Sequence, residues 1–268
     1  MNKYLSVLCL ALWMVSCQSG PQAEQQNATQ EAPATEQVAK DDGWISLLDE
    51  EHAKGWRAYN SDSLPPGWII KDGVLTFDTE LGLEQNYEGG KDIIYGQEEF
   101  ENFELSLEWK LPKGGNSGIF YHLKEGYKGP PDIAPEYQLI DDENYADIHD
   151  LTAYNRSLGY TENPAALQAL QKTAADYAMH PADESKKQLK PVGEWNASKI
   201  VFTPERVEHW LNGQMVLNFV PWSEDWQAKK DNGKWKDFPD YGKFRTGFIG
   251  LQDHASPIWF RNIKIKKL

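Results

Sequence analysis

The stretch of residues 114–141, GGNSGIFYHLKEGYKGPPDIAPEYQLID, holds the pattern that decides the fold. Two short apolar runs, residues 119–123 and 137–140, have the length of β-strands and are separated by a segment rich in Gly and Pro. Asn116 and Ser117 lie beside glycines, which allow the backbone to turn tightly and to approach a ligand closely. The stretch therefore predicts strands with polar groups that a plain core strand does not need.

The second run divides its side chains between two faces. Because successive side chains of a strand point to opposite faces, Glu136 and Gln138 share one face, while Tyr137 and Leu139 lie on the other. A carboxylate and an amide above core residues predict the floor of a polar groove. A solvated strand face without a function is the alternative that this stretch leaves open.

Further strands follow one another along the chain. Residues 103–111 alternate apolar and polar side chains and form the cleanest half-buried strand pattern in the sequence. Asp72-Gly73 and Asn212-Gly213 each lie between apolar runs, as is typical of tight β-hairpin turns. Many short strands separated by Gly, Pro and Asn predict an all-β fold, an antiparallel jelly-roll β-sandwich.

One segment has a helical pattern. Asn163-Pro164 offers a cap and a first-turn proline, and residues 165–175 are rich in Ala, Leu and Gln, so we predict one short inserted helix there. It lies in a long insertion, roughly residues 142–191, and residues 221–242 form a second irregular stretch. Insertions of this kind are usually functional lids or loops.

Residues 1–17 have the composition of a lipoprotein signal peptide. Residues 5–15 are apolar, and the ending Met14-Val15-Ser16-Cys17 resembles a bacterial lipobox, in which the cysteine is lipidated. An ordinary cleaved signal is the alternative. Residues 18–42 are predicted to form a flexible tether, which leaves residues 43–268 as one domain. We expect a periplasmic protein that is anchored to a membrane through Cys17, with the outer membrane favoured.

Composition excludes several classes of function. The formal net charge of -14 excludes nucleic acid as a partner, because phosphate binding requires a basic surface. Both cysteines lie within the first 17 residues, so the mature domain has neither a cysteine nucleophile nor a zinc–thiolate site. Eleven tryptophans suit a large core, and a few of them suit stacking on sugar rings.

Six short motifs follow one another along the domain, and each occurs once. They are Asn116-Ser117-Gly118-Ile119-Phe120, Glu136-Tyr137-Gln138 with Asp141, Gly193-Glu194-Trp195-Asn196, His209-Trp210-Leu211-Asn212-Gly213, Leu251-Gln252-Asp253-His254 and Phe260-Arg261-Asn262-Ile263. Together they resemble the 3-keto-disaccharide hydrolase domain family over about residues 43–268. The resemblance implies a concanavalin A-like jelly roll with a concave sugar-binding face. It also implies cleavage of glycosides whose sugar is oxidised at C3.

The resemblance also suggests which side chains act. The positions that match the family's motifs are Glu136, Gln138, Asp141, Trp195, His209, Gln252 and His254, and Tyr177 matches in a segment that departs from the family pattern. From these positions and from Asn116 beside the glycines, we predict an oligosaccharide or glycoside site that uses Asn116, Gln138, Trp195 and Gln252.

The chemistry follows from the ketone. A carbonyl at C3 acidifies the proton on C2, so a base can remove that proton and the aglycone can leave from C1. As a hypothesis, the base is His254 or His209, and the acid is Tyr177. Glu136 is a further catalytic candidate. Together with Asp141, Glu136 is also predicted to hold a divalent cation. Carboxylate and amide ligands suit Ca²⁺, Mg²⁺ or Mn²⁺, and added imidazole favours Mn²⁺ or Zn²⁺.

Two alternatives remain open at this point. In the first, Glu136 and Asp141 hydrolyse the glycoside directly as acid and base, without a metal. In the second, the protein is a carbohydrate-binding lipoprotein without catalytic activity, built on the same sandwich.

Overall fold

A computed structural model describes residues 42–268. The predictions on the signal peptide, on lipidation at Cys17 and on nearly all of the tether lie outside the described residues. Within residues 42–268, none of the helices has the length and the apolar composition that crossing a bilayer requires.

The described residues form two antiparallel sheets. In chain order the strands are β1 (Trp44–Ser46), β2 (Trp56–Ala58), β3 (Trp68–Lys71), β4 (Val74–Phe77), β5 (Ile93–Tyr95), β6 (Phe103–Lys110), β7 (Asn116–Leu123), β8 (Glu136–Ile140), β9 (Asn196–Thr203), β10 (Arg206–Leu211), β11 (Gln214–Phe219), β12 (Phe248–Leu251) and β13 (Ile258–Lys267). The first sheet has the order β11-β10-β9-β6-β13-β4-β3, and β1 also pairs with β13. The second sheet has the order β2-β5-β12-β7-β8. The predicted all-β antiparallel sandwich is confirmed.

The main core lies between the two sheets. The alternation predicted for β6 is confirmed, since Phe103, Leu105, Leu107 and Trp109 are buried and the residues between them are only partly so. The second sheet contributes side chains such as Tyr137 to the same cluster. Each large apolar side chain buried in this way stabilises the fold by about 1.5–3 kcal/mol.

The helices differ from the prediction. The described residues contain four, α1 (Thr79–Glu84), α2 (Tyr145–Ile148), α3 (Thr152–Ser157) and α4 (Glu224–Asn232). The second irregular stretch therefore holds a nine-residue helix, α4, whose first turn is capped by the side chain of Ser223.

The predicted inserted helix at residues 165–175 is wrong. Within that range the structure has only a short 3₁₀ turn, Ala169–Gln171. The chain beyond it extends along β8, where Ala174 N donates to Gln138 O at 2.9 Å and Gln138 N donates to Ala175 O at 3.1 Å. Pairing with the sheet has replaced the intrahelical hydrogen bonds that the composition favours.

The outer face of the second sheet has an apolar half and a polar half. Ile94 and Phe120 form a buried cluster there with Ile133 and Ala134 of the β7–β8 connection. The polar half lies over β7 and β8, where Gly118 pairs with Gln138 and Phe120 pairs with Glu136. This polar half forms the floor of a cavity.

Candidate active site

A cavity of about 520 Å³ opens over the polar half of the second sheet. Its floor comes from the sheet, and its walls come from the insertion after β8 and from the segment after α4. The lining includes Asp92, Asn116, Glu136, Gln138, Tyr145, His149, Asp150, Tyr154, Gln171, Tyr177, Lys234, Gln252, Asp253 and His254. The structure thus brings Glu136, Gln252 and His254 to one cavity from distant parts of the chain.

Glu136 lies at the centre of the floor. Its side chain is 3 % exposed, and its Oε1 atom has no hydrogen-bond partner among the described residues. A Cβ at Gly118, on the neighbouring strand, would lie 2.1 Å from this oxygen. The glycine beside Asn116 and Ser117 is therefore required because the carboxyl group occupies the space where a side chain would be.

Two carboxyl groups of this cavity hold their protons unusually firmly. Burial raises the pKa of Glu136 to about 8, against the opposing influence of the Lys234 ammonium group, while Asp92 and Asp176 raise it further. Burial also raises the pKa of Asp92 to about 7, although the hydrogen bond that Asp253 N donates to it acts in the opposite direction. Both groups therefore exchange protons near neutral pH.

Tyr177 is fixed beside Glu136 by the backbone. Its N–H donates to Glu136 O at 2.9 Å, so the segment that carries it forms an extra edge to β8. Its hydroxyl group lies 2.7 Å from that of Tyr154, and Lys234 Nζ lies 4.4 Å from the centroid of its ring. Burial raises the pKa of Tyr177, so its hydroxyl group keeps its proton and can donate a hydrogen bond into the cavity.

Amide groups complete the floor. Asn116 Nδ2 donates to the hydroxyl oxygen of Tyr145 at 3.3 Å, and Gln138 Oε1 accepts from Leu139 N at 2.9 Å. Asn116 Oδ1 and Gln252 Oε1 are buried and have no partner among residues 42–268. Because buried polar atoms are rarely left unpaired, these oxygens are suited to accept from the hydroxyl groups of a ligand.

His254 also lines the cavity, and the residue as a whole is exposed. Partial burial of its imidazole in the surrounding protein lowers the pKa of this group below the usual value, so the imidazole is neutral at pH 7.

The structure contradicts the predicted pairing of Glu136 with Asp141. Asp141 Oδ2 accepts from Gly114 N at 2.8 Å, and Oδ1 accepts from Glu143 N and from both the backbone and side-chain nitrogens of Asn144. These bonds fix the turn after β8, and Asp141 does not line the cavity that holds Glu136.

The predicted divalent cation does not fit this donor set. Among residues 42–268, no three side chains of His, Cys, Asp or Glu converge in the way that a metal site requires. Glu136 and Asp141 do not form a pair, so neither a shared cation nor the alternative of a direct acid–base pair between them is supported.

Two other predicted residues, His209 and Trp195, lie away from this cavity. His209 is fully buried between the sheets, where its Nδ1 lies 2.9 Å from Ala174 O and its ring packs against Tyr137. Trp195 lies against the charged ends of Lys110 and Arg261 and lines no part of the cavity. Neither residue therefore lies at the cavity that holds Glu136, because His209 faces the core and Trp195 lies at a separate surface.

Comparison with known proteins agrees with this architecture. The sequence model of a family described as a 3-keto-alpha-glucoside-1,2-lyase-like domain matches residues 43–266. The chain belongs to this family. A 3-keto-disaccharide hydrolase of Bacteroides thetaiotaomicron is 36% identical over 247 residues, which cover 85% of this chain and 79% of the relative. The resemblance inferred from the six motifs is confirmed.

Solved structures show the same relationship. A crystal structure from Parabacteroides distasonis, of a protein provisionally assigned as a glycosyl hydrolase, is 37% identical with a TM-score of 0.69, over 84% of this chain and 94% of that chain. A second protein of this organism, with the same provisional assignment, is 26% identical with a TM-score of 0.57, over 84% of this chain and 99% of that chain.

Sequence reasoning missed two charged residues of this family member's site. Asp92 precedes β5, a strand of three residues that is too short to give a periodic pattern. An acidic residue directly before an apolar run was the one available signal. Lys234 lies in the second irregular stretch, and no local pattern separates it from the other lysines there.

Proposed function

We propose that the protein is an enzyme that cleaves the glycosidic bond of 3-keto-glycosides, including 3-keto-disaccharides, by removing the C2 proton and eliminating the aglycone. Family membership and the relative from Bacteroides thetaiotaomicron support the substrate class. The observation that carries the proposal is the carboxyl group of Glu136, which is buried in the floor of the cavity with one oxygen unpartnered.

Glu136 suits the role of the base. Proton transfer is most efficient when the pKa of the catalytic group lies near the working pH, and the pKa of Glu136 is about 8. Its unpartnered oxygen lies over Gly118, in the space that a side chain at this position would take, so the missing side chain makes room for the carboxyl group in the floor of the cavity. We therefore assign the base to Glu136 rather than to His209, which the cavity does not reach.

Lys234 and Tyr177 are suited to stabilise the negative charge that develops on the substrate next. When C2 loses its proton, negative charge moves to the oxygen on C3. An ammonium group and a protonated hydroxyl group that are already in place stabilise such charge, and removal of one such donor typically slows catalysis by about 10²–10³-fold. We assign Tyr177 to this oxygen, because its backbone bond to Glu136 holds it beside the base.

The bonds change in two steps. The C2–H bond breaks, its proton passes to Glu136, and its electron pair forms the C2–C3 double bond of an enediolate. The C3 carbonyl then re-forms, a C1–C2 double bond appears, and the bond from C1 to the aglycone oxygen breaks. Addition of water across the C1–C2 double bond yields the free 3-keto sugar, so elimination followed by hydration gives the same products as hydrolysis.

The test compares a 3-keto-glucoside with the plain glucoside. The purified protein is expected to cleave the keto substrate alone, and Glu136→Gln is expected to lower the rate by about 10²–10⁴-fold. Glu205→Gln is the matched control, since Glu205 is exposed and is not among the residues that line the cavity above Glu136. Equal turnover of the plain glucoside would contradict the elimination. Full activity of Glu136→Gln, with loss in His254→Gln, would transfer the role of base to His254.

We also propose that the mature protein acts in the periplasm as a lipoprotein anchored through Cys17. The support is the order of a positive residue, an apolar run and the lipobox-like ending in residues 1–17.

A further inference from the structure

We propose that Asp92 is the acid that protonates the leaving oxygen, and that the aglycone is a sugar bound in a second cavity on the other side of Asp92. This inference rests on the proposed elimination. Neither Asp92 nor any residue that lines the second cavity belongs to the six sequence motifs.

Two cavities share one wall. The cavity above Glu136 and a second cavity of about 580 Å³ are both lined by Gly90 and Asp92. If the oxidised ring of a glycoside lies over Glu136, its scissile bond lies at this shared wall. The leaving oxygen would then lie beside Asp92, and the aglycone would enter the second cavity.

The second cavity has the chemistry of a sugar-binding surface. Pro65, Pro66 and Tyr59 offer apolar faces, and the hydroxyl groups of Ser61 and Ser63 also line it. Neither of these hydroxyl groups makes a hydrogen bond with another described residue, so both are free to bind hydroxyl groups of a ligand. Lys91 and Lys128 add two cationic donors. This combination suits a hydroxylated ring better than an apolar aglycone.

The walls of the second cavity are held in place before a ligand arrives. Arg57 makes two hydrogen bonds to Glu125, at 2.6 and 2.7 Å, and Asn60 Nδ2 donates to Tyr127 O at 2.9 Å. These bonds join β2 and the loop after it to the loop after β7. Preorganised walls of this kind lower the cost of ordering the site on binding.

Asp92 is itself held firmly and keeps one oxygen free. Its Oδ1 accepts from Asp253 N at 2.9 Å, and Asp253 is fixed in turn by Trp68 Nε1 and by the hydroxyl group of Tyr87. Within residues 42–268, Oδ2 of Asp92 makes no hydrogen bond. The pKa of about 7 means that a proton is available on this carboxyl group at neutral pH.

The proton balance closes with Asp92 as the acid. Glu136 gains the proton from C2, and Asp92 gives its proton to the aglycone oxygen as the C1–O bond breaks. One cycle thus leaves Glu136 protonated and Asp92 ionised. Exchange with solvent then restores both groups, because their pKa values lie near neutral pH.

The experiment varies the leaving group and keeps the oxidised sugar ring the same. The 3-keto-glucosides of glucose and of 4-nitrophenol share the ring over Glu136, but only the glucose needs a proton in order to leave. For Asp92→Asn we expect kcat/KM to fall by about 10²–10³-fold with the disaccharide and by less than about tenfold with the nitrophenyl compound. Asp237→Asn is the control, since Asp237 is exposed and lines neither cavity.

The possible results separate the two proposals. Equal losses for both substrates would overturn the role of Asp92 while the elimination stands. If the wild-type protein cleaves neither compound, the proposed function itself has failed. Asp92→Asn is close to isosteric, and its thermal melt shows whether the folded state is intact.

A second variant tests the aglycone site. Ser63→Trp fills the second cavity, so we expect the ratio of kcat/KM for the disaccharide to kcat/KM for the methyl 3-keto-glucoside to fall by at least about tenfold. Such a loss corresponds to about 1.4 kcal/mol of binding energy for the aglycone. An unchanged ratio in a folded variant would overturn the assignment of this cavity, and Ser61→Trp serves if Ser63→Trp does not fold.

Discussion

Replacement of Glu136 by Gln is expected to stabilise the protein, and to do so only where the carboxyl group would ionise. The carboxyl has an ordinary pKa of 4.5 and a pKa of about 8 in the folded protein, because burial disfavours the charged form. Between these two pH values the unfolded chain gives up the proton and the folded protein keeps it. The wild-type protein therefore has its full free energy of unfolding below pH 4.5, as far as Glu136 is concerned. Part of this free energy is lost as the pH rises toward 8.

The size of the effect follows from the two pKa values. Each pH unit between 4.5 and about 8 removes about 1.4 kcal/mol, so the total at pH 8 is on the order of 4–5 kcal/mol. The amide of Gln cannot ionise and has nearly the same shape. The gain in free energy of unfolding from Glu136→Gln is thus expected to be about 3–4 kcal/mol larger at pH 8 than at pH 5.

Urea denaturation of both proteins at the two pH values measures this difference directly. Groups that do not interact with Glu136 titrate alike in both proteins and cancel in the comparison. Glu205→Gln, at an exposed position, should show no such dependence on pH. An equal effect of Glu136→Gln at pH 5 and pH 8 would refute the reasoning, because it would mean that the carboxyl group is ionised or solvated in the folded protein.

Four further outcomes are expected. Gly118→Ala should destabilise the fold by about 1–3 kcal/mol in urea and abolish activity, because its Cβ would lie 2.1 Å from Glu136 Oε1; a fully active variant would contradict the geometry of the floor. Lys234→Met should lower kcat by about 10²–10³-fold and shift the rising limb of the pH–rate profile to higher pH, since the ammonium group lowers the pKa of Glu136; a shift to lower pH would reverse the assigned sign. Asp141→Ala should lower the free energy of unfolding by about 1–3 kcal/mol, because it leaves backbone N–H groups of the turn unpaired. The folded variant should keep its turnover, and a loss of turnover at unchanged stability would show that Asp141 acts in the site. Cys17→Ala should abolish incorporation of labelled fatty acid and move the protein from the membrane fraction to the soluble fraction, and continued labelling would refute the anchor.

Local patterns were sufficient for most of the sheets. The hairpin at Asn212-Gly213 joins β10 to β11 as its turn residues predict, and the period of two in β6 and β8 assigned the correct faces. Parity alone placed Gln138 beside Glu136 on the outer face of β8. These features depend on residues within a few positions of one another, so the sequence records them directly.

Long-range pairing explains the errors. Residues 165–175 have a helical composition, yet Ala174 and Ala175 at the end of this range make backbone hydrogen bonds with β8, so tertiary pairing outweighs a weak local propensity. His209 belongs to one of the six sequence motifs, which made it a candidate site residue, but its side chain lies on the inner face of β10, in the core. No spacing in the sequence shows that Asp92 and Lys234 meet Glu136, because loops separated by many residues bring them together.

The central claim is that the C2–H bond breaks during cleavage, and a substrate deuterated at C2 tests it most directly. With a 3-keto-glucoside that carries deuterium at C2, we expect a slower reaction than with hydrogen and a product that has lost the label to solvent. Cleavage at an unchanged rate, with the deuterium retained at C2, would contradict it.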